Sequence, residues 1–169
     1  MVESIVGYTG SAAPILIAER HIRPSESVFS SVESPSHWPS VYIIEGLAQC
    51  CILLTLIWAC ERKREADGLG AENVSDLFTN TEAVDNDYTL TQFLEILSDK
   101  TVNDVSRNGM LASVDVEIVS NVQAGKLLQY KVELTRVFGR FVSFVVKAFV
   151  EGQTVAHGTM VGAQLENII

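Results

Sequence analysis

Twenty consecutive residues, from Val41 to Cys60, carry a single formally charged side chain, Glu45. No other stretch restricts the fold as much. Pro39-Ser40 in front of it is a helix-start signal, with Ser40 placed to cap a first turn beginning at Val41. Behind it, Glu61-Arg62-Lys63-Arg64 turns the chain polar with cations suited to a helix C-terminus, and Gly68 and Gly70 break the helix. Between these signals apolar residues fall on nearly every side, which marks a helix enclosed by protein or by lipid. About 20 residues is enough to span a bilayer. A span would leave Glu45 and Gln49 in hydrocarbon, and the rest of the chain reads as sheet, so the expectation is a helix wrapped by a sheet with no membrane span.

A carboxylate in such a helix is costly to ionise unless it is paired, and apolar surroundings would raise its pKa toward the range of a proton donor. The same spacing also permits a plainer role. Gln49 lies four residues on, on the same helix face, so Glu45 can simply meet it or bind a backbone amide. Spacing leaves both readings open.

The chain has 169 residues, 47% of them hydrophobic and 20% charged, which suits one globular domain with a sizeable core. A net charge of -9 argues against nucleic acid and anionic membrane as partners. Cys50, Cys51 and Cys60 all lie in the apolar stretch, without CxxC spacing or a histidine at ligand distance, and are expected to be buried free thiols. They fit a reducing, cytoplasmic setting. The opening MVESIVGYTG lacks the basic and apolar regions of a signal peptide. Nucleotide-binding, zinc-protease and serine-hydrolase motifs are absent from the sequence, as is any internal repeat.

Taken in order, Pro14 to Ile22 reads as a short strand, and Val28-Phe29 as the start or end of a second extended piece. Pro35 and Pro39 forbid regular structure up to the helix. From Ala66 to Gly109 the chain is polar and acid-rich, an insertion in which Leu90, Phe93, Leu94 and Leu97 predict a short amphipathic helix over about 89–99. Such an insertion serves as a lid, as a docking element, or as a surface helix over a sheet edge. From Met110 the period changes. LASVDVEIV, KLLQYKVELTRVF, RFVSFVVKAFV and QTVAHGTMVGAQL are β-branched and aromatic runs separated by turn residues. Tyr130, Val132 and Leu134 alternate with Lys131, Glu133 and Thr135, as in an antiparallel meander with one buried face. Two strands, a buried helix and a run of strands make an α+β domain, residues 1–169, with a curled sheet around one helix.

These residues resemble the hotdog fold, and within it the 3-hydroxyacyl-[acyl-carrier-protein] dehydratases of fatty-acid and polyketide synthesis. Trp38-Pro39-Ser40-Val41-Tyr42-Ile43-Ile44-Glu45-Gly46-Leu47-Ala48-Gln49 follows the second half of that family's helix motif. APILIAERHI looks like its first strand, and the four runs after Met110 look like its last four. The resemblance implies that Glu45 is the carboxylate that protonates a departing β-hydroxyl, with Gln49 helping to hold it. It further implies that Trp38, Ser40 and Val41 border the substrate, with Ser40 where the family has the glycine that opens the helix.

In the family a loop histidine from the partner protomer removes the α-proton, so each site is shared across a dimer. Here the family's spacing back from Glu45 lands on Ser31, or on Val32 with one residue deleted, and neither is a base. His37 sits too close to Glu45 in sequence and reaches the site only if the loop has re-routed; otherwise it is a solvated or packed residue. His21 and His157 fall in strands as ordinary sheet residues. The expected function is therefore a histidine-less dehydratase-like subunit that lends Glu45 to a sister dehydratase acting on chains held by an acyl carrier protein. The alternatives are an autonomous hotdog enzyme, either a thioesterase or a dehydratase with His37 as base, and a non-catalytic acyl-binding or scaffold protein. The expected partners are an acyl carrier protein or acyl thioester and a second hotdog chain, in a homodimer or heterodimer; the chain's acidity would repel an acidic carrier unless the sister or Arg62-Lys63-Arg64 offers basic surface. None of these readings implies a metal or an organic cofactor.

Overall fold

The structure, a computed structural model, describes residues 2–10, 13–30, 37–66 and 109–164. Six strands form one antiparallel sheet in the order β1 (Ser4–Thr9), β2 (Ile15–His21), β6 (Leu127–Phe138), β7 (Phe141–Val150), β8 (Gln153–Gln164) and β4 (Gly109–Ile118). A two-residue ribbon pairs β3 (His37–Trp38) with β5 (Val122–Gln123). One helix, α1 (Ser40–Ala66), lies on the sheet, as the α+β hotdog expectation required.

The β runs after Met110 fold as their alternation predicts. Leu128, Tyr130, Val132 and Leu134 of β6 are buried, and so are Val142, Phe144, Val146 and Ala148 of β7. Their partners on α1 recur at helical spacing: Ile43, Leu47, Cys50, Leu54 and Ile57 are each at most 1% exposed. Full burial of a leucine side chain such as Leu54 contributes about 1.5–3 kcal/mol, so this seam is the main adhesive of the domain.

Three expectations need correcting. First, α1 is not enclosed. Half of the apolar segment Ser40–Ala59 is buried, while Val41 is 62% exposed, Ile52 57% and Tyr42 42%. The sheet covers one side of the helix only. By length and composition this segment would also suffice to cross a membrane.

As its C-terminal signals predict, α1 runs through the basic tetrapeptide, whose cations favour the macrodipole, to Ala66 just ahead of Gly68. Second, Val28 and Phe29 are not extended; Ser27–Phe29 is a short 3-10 helix. The turn is drawn in by Glu26, whose carboxylate accepts from the Arg23 amide at 3.1 Å and from Arg20 at 2.5 Å. Third, His37-Trp38 forms a strand despite the flanking prolines, since neither proline lies inside the paired dipeptide.

The sequence reading also passed over β1. It pairs with β2 from Ser4↔Glu19 to Thr9↔Ile15 and is tied to the far end of α1 by a 2.5 Å hydrogen bond from the Tyr8 hydroxyl to Glu61. Residues 67–108, nearly all of the acidic insertion expected from Ala66 to Gly109 together with the amphipathic helix expected within it, lie outside the described residues; Ala66 ends α1 and Gly109 opens β4.

Candidate functional site

Glu45 lies on the second turn of α1, on the side that the sheet leaves uncovered, and its residue is exposed. The desolvation expected of an enclosed helix is therefore absent within the protomer. The plainer contact forms: Gln49 Nε2 donates to Glu45 Oε1 at 3.0 Å. Gln49 Oε1 in turn accepts the Val2 amide at 3.0 Å. These two partners, one a donor and one an acceptor, fix which way the Gln49 amide faces. The N-terminal strand segment thus holds Gln49, and Gln49 holds one oxygen of Glu45. Among the described residues no cation pairs with Glu45 and no second hydrogen bond reaches it.

The residue after Glu45 explains how the helix comes this close to the sheet. A Cβ at Gly46 would fall onto the hydroxyl and ring of Tyr130, which is fully buried in β6. Only glycine lets α1 settle here. Burial pushes the Tyr130 hydroxyl well above its ordinary pKa; the neighbouring Cys50 thiol pushes the same way and Arg20 opposes it. That hydroxyl has no hydrogen-bond partner among the described residues.

Ahead of the helix, Trp38 is 3% exposed and forms the hub of an aromatic cluster. Phe29 lies 6.0 Å from its ring, Tyr42 5.0 Å, and the Arg20 guanidinium stands 4.9 Å above it. Arg20 also pairs with Glu26. Trp38 is therefore a structural anchor for the first turn of α1, and its indole N–H has no partner among the described residues. Ser40 and Val41 occupy the first positions of α1, Ser40 half-buried and Val41 exposed.

His37 is brought elsewhere. It lines a cleft of about 270 Å³ with Asn121, Val122, Gln123, Lys126 and Val150, a lining that contains neither Glu45 nor Gln49. His21 and His157 stand on β2 and β8 as ordinary sheet residues; His157 approaches Glu117 at 3.7 Å. Ser31 and Val32 lie outside the described residues. Cys50 and Cys51 are buried free thiols, both pushed up by desolvation. Among the described residues no group of His, Cys, Asp and Glu is placed to hold a metal ion.

Tyr130, Arg20 and the lining of the His37 cleft were not picked out from the sequence. The alternation of β6 did point Tyr130 inward, but its contact with Gly46 spans 84 positions and left no local signal.

No protein-family model matches the chain, and no curated protein sequence does. Solved structures do match in fold. The dehydratase heterocomplex ApeI:P from Xenorhabdus doucetiae superposes with a TM-score of 0.58 at 15% identity, over 98% of this chain and 82% of that one. Protein PH1136 from Pyrococcus horikoshii gives 0.56 at 12% identity, over 98% and 85%. The fluoroacetyl-CoA thioesterase FlK gives 0.51 at 13% identity, over 92% and 87%. These neighbours are hotdog proteins, and this chain has the hotdog fold. At such identities the likeness is one of fold.

Proposed function

We propose that the chain is a dehydratase-like hotdog subunit that works with a partner dehydratase on β-hydroxyacyl thioesters carried by an acyl carrier protein. The observation that carries this reading is the half-built site: a carboxylate held by Gln49 on the open side of α1, with no base beside it among the described residues. In the shared reaction a base from the partner takes the α-proton, the Cβ–O bond breaks, and Glu45 gives its proton to the departing hydroxyl. An enoyl thioester and water result, and no cofactor is needed.

Two features favour a partner. The exposed stripe Val41, Tyr42, Glu45 and Ile52 follows one face of α1. The edge strand β4 exposes Met110, Leu111 and Val114 next to an unpaired row of backbone groups. Covering the stripe would also bury Glu45 and so give it the apolar surroundings of a proton donor, which the protomer alone does not provide.

Co-purification with a candidate sister dehydratase tests the proposal. The complex is expected to dehydrate a β-hydroxyacyl carrier-protein thioester while this chain alone does not, and Glu45→Gln should cut the rate about 10²-fold or more, the usual size of a general-acid contribution. An unchanged rate in Glu45→Gln ends the shared-site reading. A thioesterase is the second reading, favoured by the exposure of Glu45, since a carboxylate open to solvent can activate water with no histidine. Release of free thiol from an acyl thioester by the purified chain alone would select it.

A further inference from the structure

The hairpin of β6 and β7 outruns the strand beside it. β2 starts at Ile15, opposite Glu133, and the Leu134 amide donates to the Pro14 carbonyl. Thr135 to Phe138 therefore have β7 as their only strand neighbour among the described residues, and all four are exposed. A two-residue turn, Gly139-Arg140, with Gly139 at φ 56°, sets Phe138 directly against Phe141. The two rings stack at 5.4 Å. The Arg136 guanidinium lies 5.4 Å over Phe138 and that of Arg140 5.4 Å over Phe141, so the tip is a pair of rings with an arginine on each.

These arginines have no acid to answer them. Neither is in an ion pair among the described residues, and no Asp or Glu occurs between Glu133 and Glu151. A guanidinium stacked on an aromatic face is held in place while its N–H edge stays free for a carboxylate. Beside the two charges Val137 and Phe138, 37% and 45% exposed, offer apolar contact. Such a surface suits an acidic segment that also carries apolar side chains.

The chain holds one. Residues 67–108 contain nine Asp and Glu against Lys100 and Arg107, so -7 of the net -9 lies there, together with Leu90, Phe93, Leu94 and Leu97. The described residues on both sides of this segment lie at the end of the sheet that bears the tip. On the first side, Tyr8 holds Glu61 in the last turns of α1, and the next residue, Thr9, lies across Ile15 from Glu133. On the second, Gly109 opens β4, and Met110 stands in one cross-strand row with Ala163, Phe141 and Phe138. Exposed charge pairs bind weakly in free solution. Attachment at both ends raises the effective concentration to the order of millimolar and offsets that weakness.

We propose that the stack of Arg136, Phe138, Phe141 and Arg140 is the docking surface for the chain's own acidic segment 67–108, whose carboxylates pair with the two guanidinium groups. The contact is separate from Glu45, which stands on the second turn of α1.

The test uses the full chain and has two arms. In the first, Arg136→Lys/Arg140→Lys keeps the charge and supplies amines that a zero-length carbodiimide can join to carboxylates. Peptide mass spectrometry of the monomeric product is expected to find position 136 or 140 linked to an Asp or Glu within 67–108. No such link, or links only between two chains, overturns the proposal. In the second, Arg136→Glu/Arg140→Glu is expected to quicken amide exchange within 67–108 about tenfold at low salt, as for the loss of two exposed ion pairs, and 1 M NaCl should do the same to the wild type. Equal exchange in the two chains overturns it. Both substitutions lie on an exposed tip, so the urea midpoint should hold; the lysine arm decides the matter if the reversed chain does not fold. Co-sedimentation of the wild type with phosphatidylserine vesicles, lost on charge reversal, would make the tip a lipid contact and overturn the assignment as well.

Discussion

Gly46 rests directly on Tyr130: α1 touches the sheet at the residue next to Glu45, and it does so through a glycine facing a buried phenol. The depth at which Glu45 and Gln49 stand above the sheet follows from this contact.

Gly46→Ala is therefore expected to destabilise the domain. Forcing a methyl onto the Tyr130 ring costs about 1–3 kcal/mol, and the gain of about 1 kcal/mol in helix propensity offsets only part of it. Tyr130→Phe removes a buried hydroxyl that has no partner among the described residues, and is expected to be neutral or stabilising by about 1 kcal/mol. Chemical denaturation of both single variants and the double variant checks this: the double should recover part of the Gly46→Ala loss, because the hydroxyl is among the atoms the new methyl meets.

Gln49→Ala should release both of the groups that Gln49 joins. Its loss leaves the Val2 amide and one Glu45 oxygen without their protein partner, a change of about 1 kcal/mol in stability. Amide exchange is expected to quicken at Val2, and any activity that depends on Glu45 should fall without a change in fold by circular dichroism. An equal exchange rate at Val2 in variant and wild type would show that the bridge does not hold the strand.

The opposite end of α1 is pinned by the Tyr8 hydroxyl on Glu61, at 2.5 Å. Tyr8→Phe deletes the hydrogen bond and keeps the ring, and a charge-assisted bond of this kind contributes about 1.5–3 kcal/mol where it is shielded from water. Local opening of β1, read by hydrogen exchange at Ile5 to Thr9, should become easier by a similar amount while β6 and β7 stay protected.

The thiols give a pH signature. Desolvation raises Cys50 and Cys51 above the ordinary thiol value of 9.0, and raises Tyr130 above 10.0. Near pH 7, well below the ordinary values, these groups are protonated in folded and unfolded chains alike and contribute almost nothing to the pH dependence. As pH approaches and passes 9 the unfolded chain loses protons that the folded chain keeps, so stability falls as pH rises. Urea midpoints should hold from pH 7 to 8.5 and drop progressively beyond pH 9, and Cys50→Ala should flatten the decline. At pH 8 a thiol reagent should leave Cys50 and Cys51 unmodified in the folded protein and modify both in urea.

The sequence by itself determined the long helix and the later strands. A run of twenty residues with one charge can only be a packed helix or a span, and the two-residue alternation of the later runs can only be strands with one buried face, because period and polarity are local properties. Glu45 and Gln49 were legible for the same reason, since a four-residue spacing brings them together on any helix. Tertiary structure alone decided how much of that helix is covered. The sheet shields one side of α1, so a helix apolar all round is left half open and Glu45 reaches solvent. It also decided where His37 goes: pairing with Gln123, 86 positions away, turns the imidazole into a polar cleft apart from Glu45. Contacts of that range depend on which strands meet and on the face each turns to its neighbour, and no local pattern along the chain records either choice.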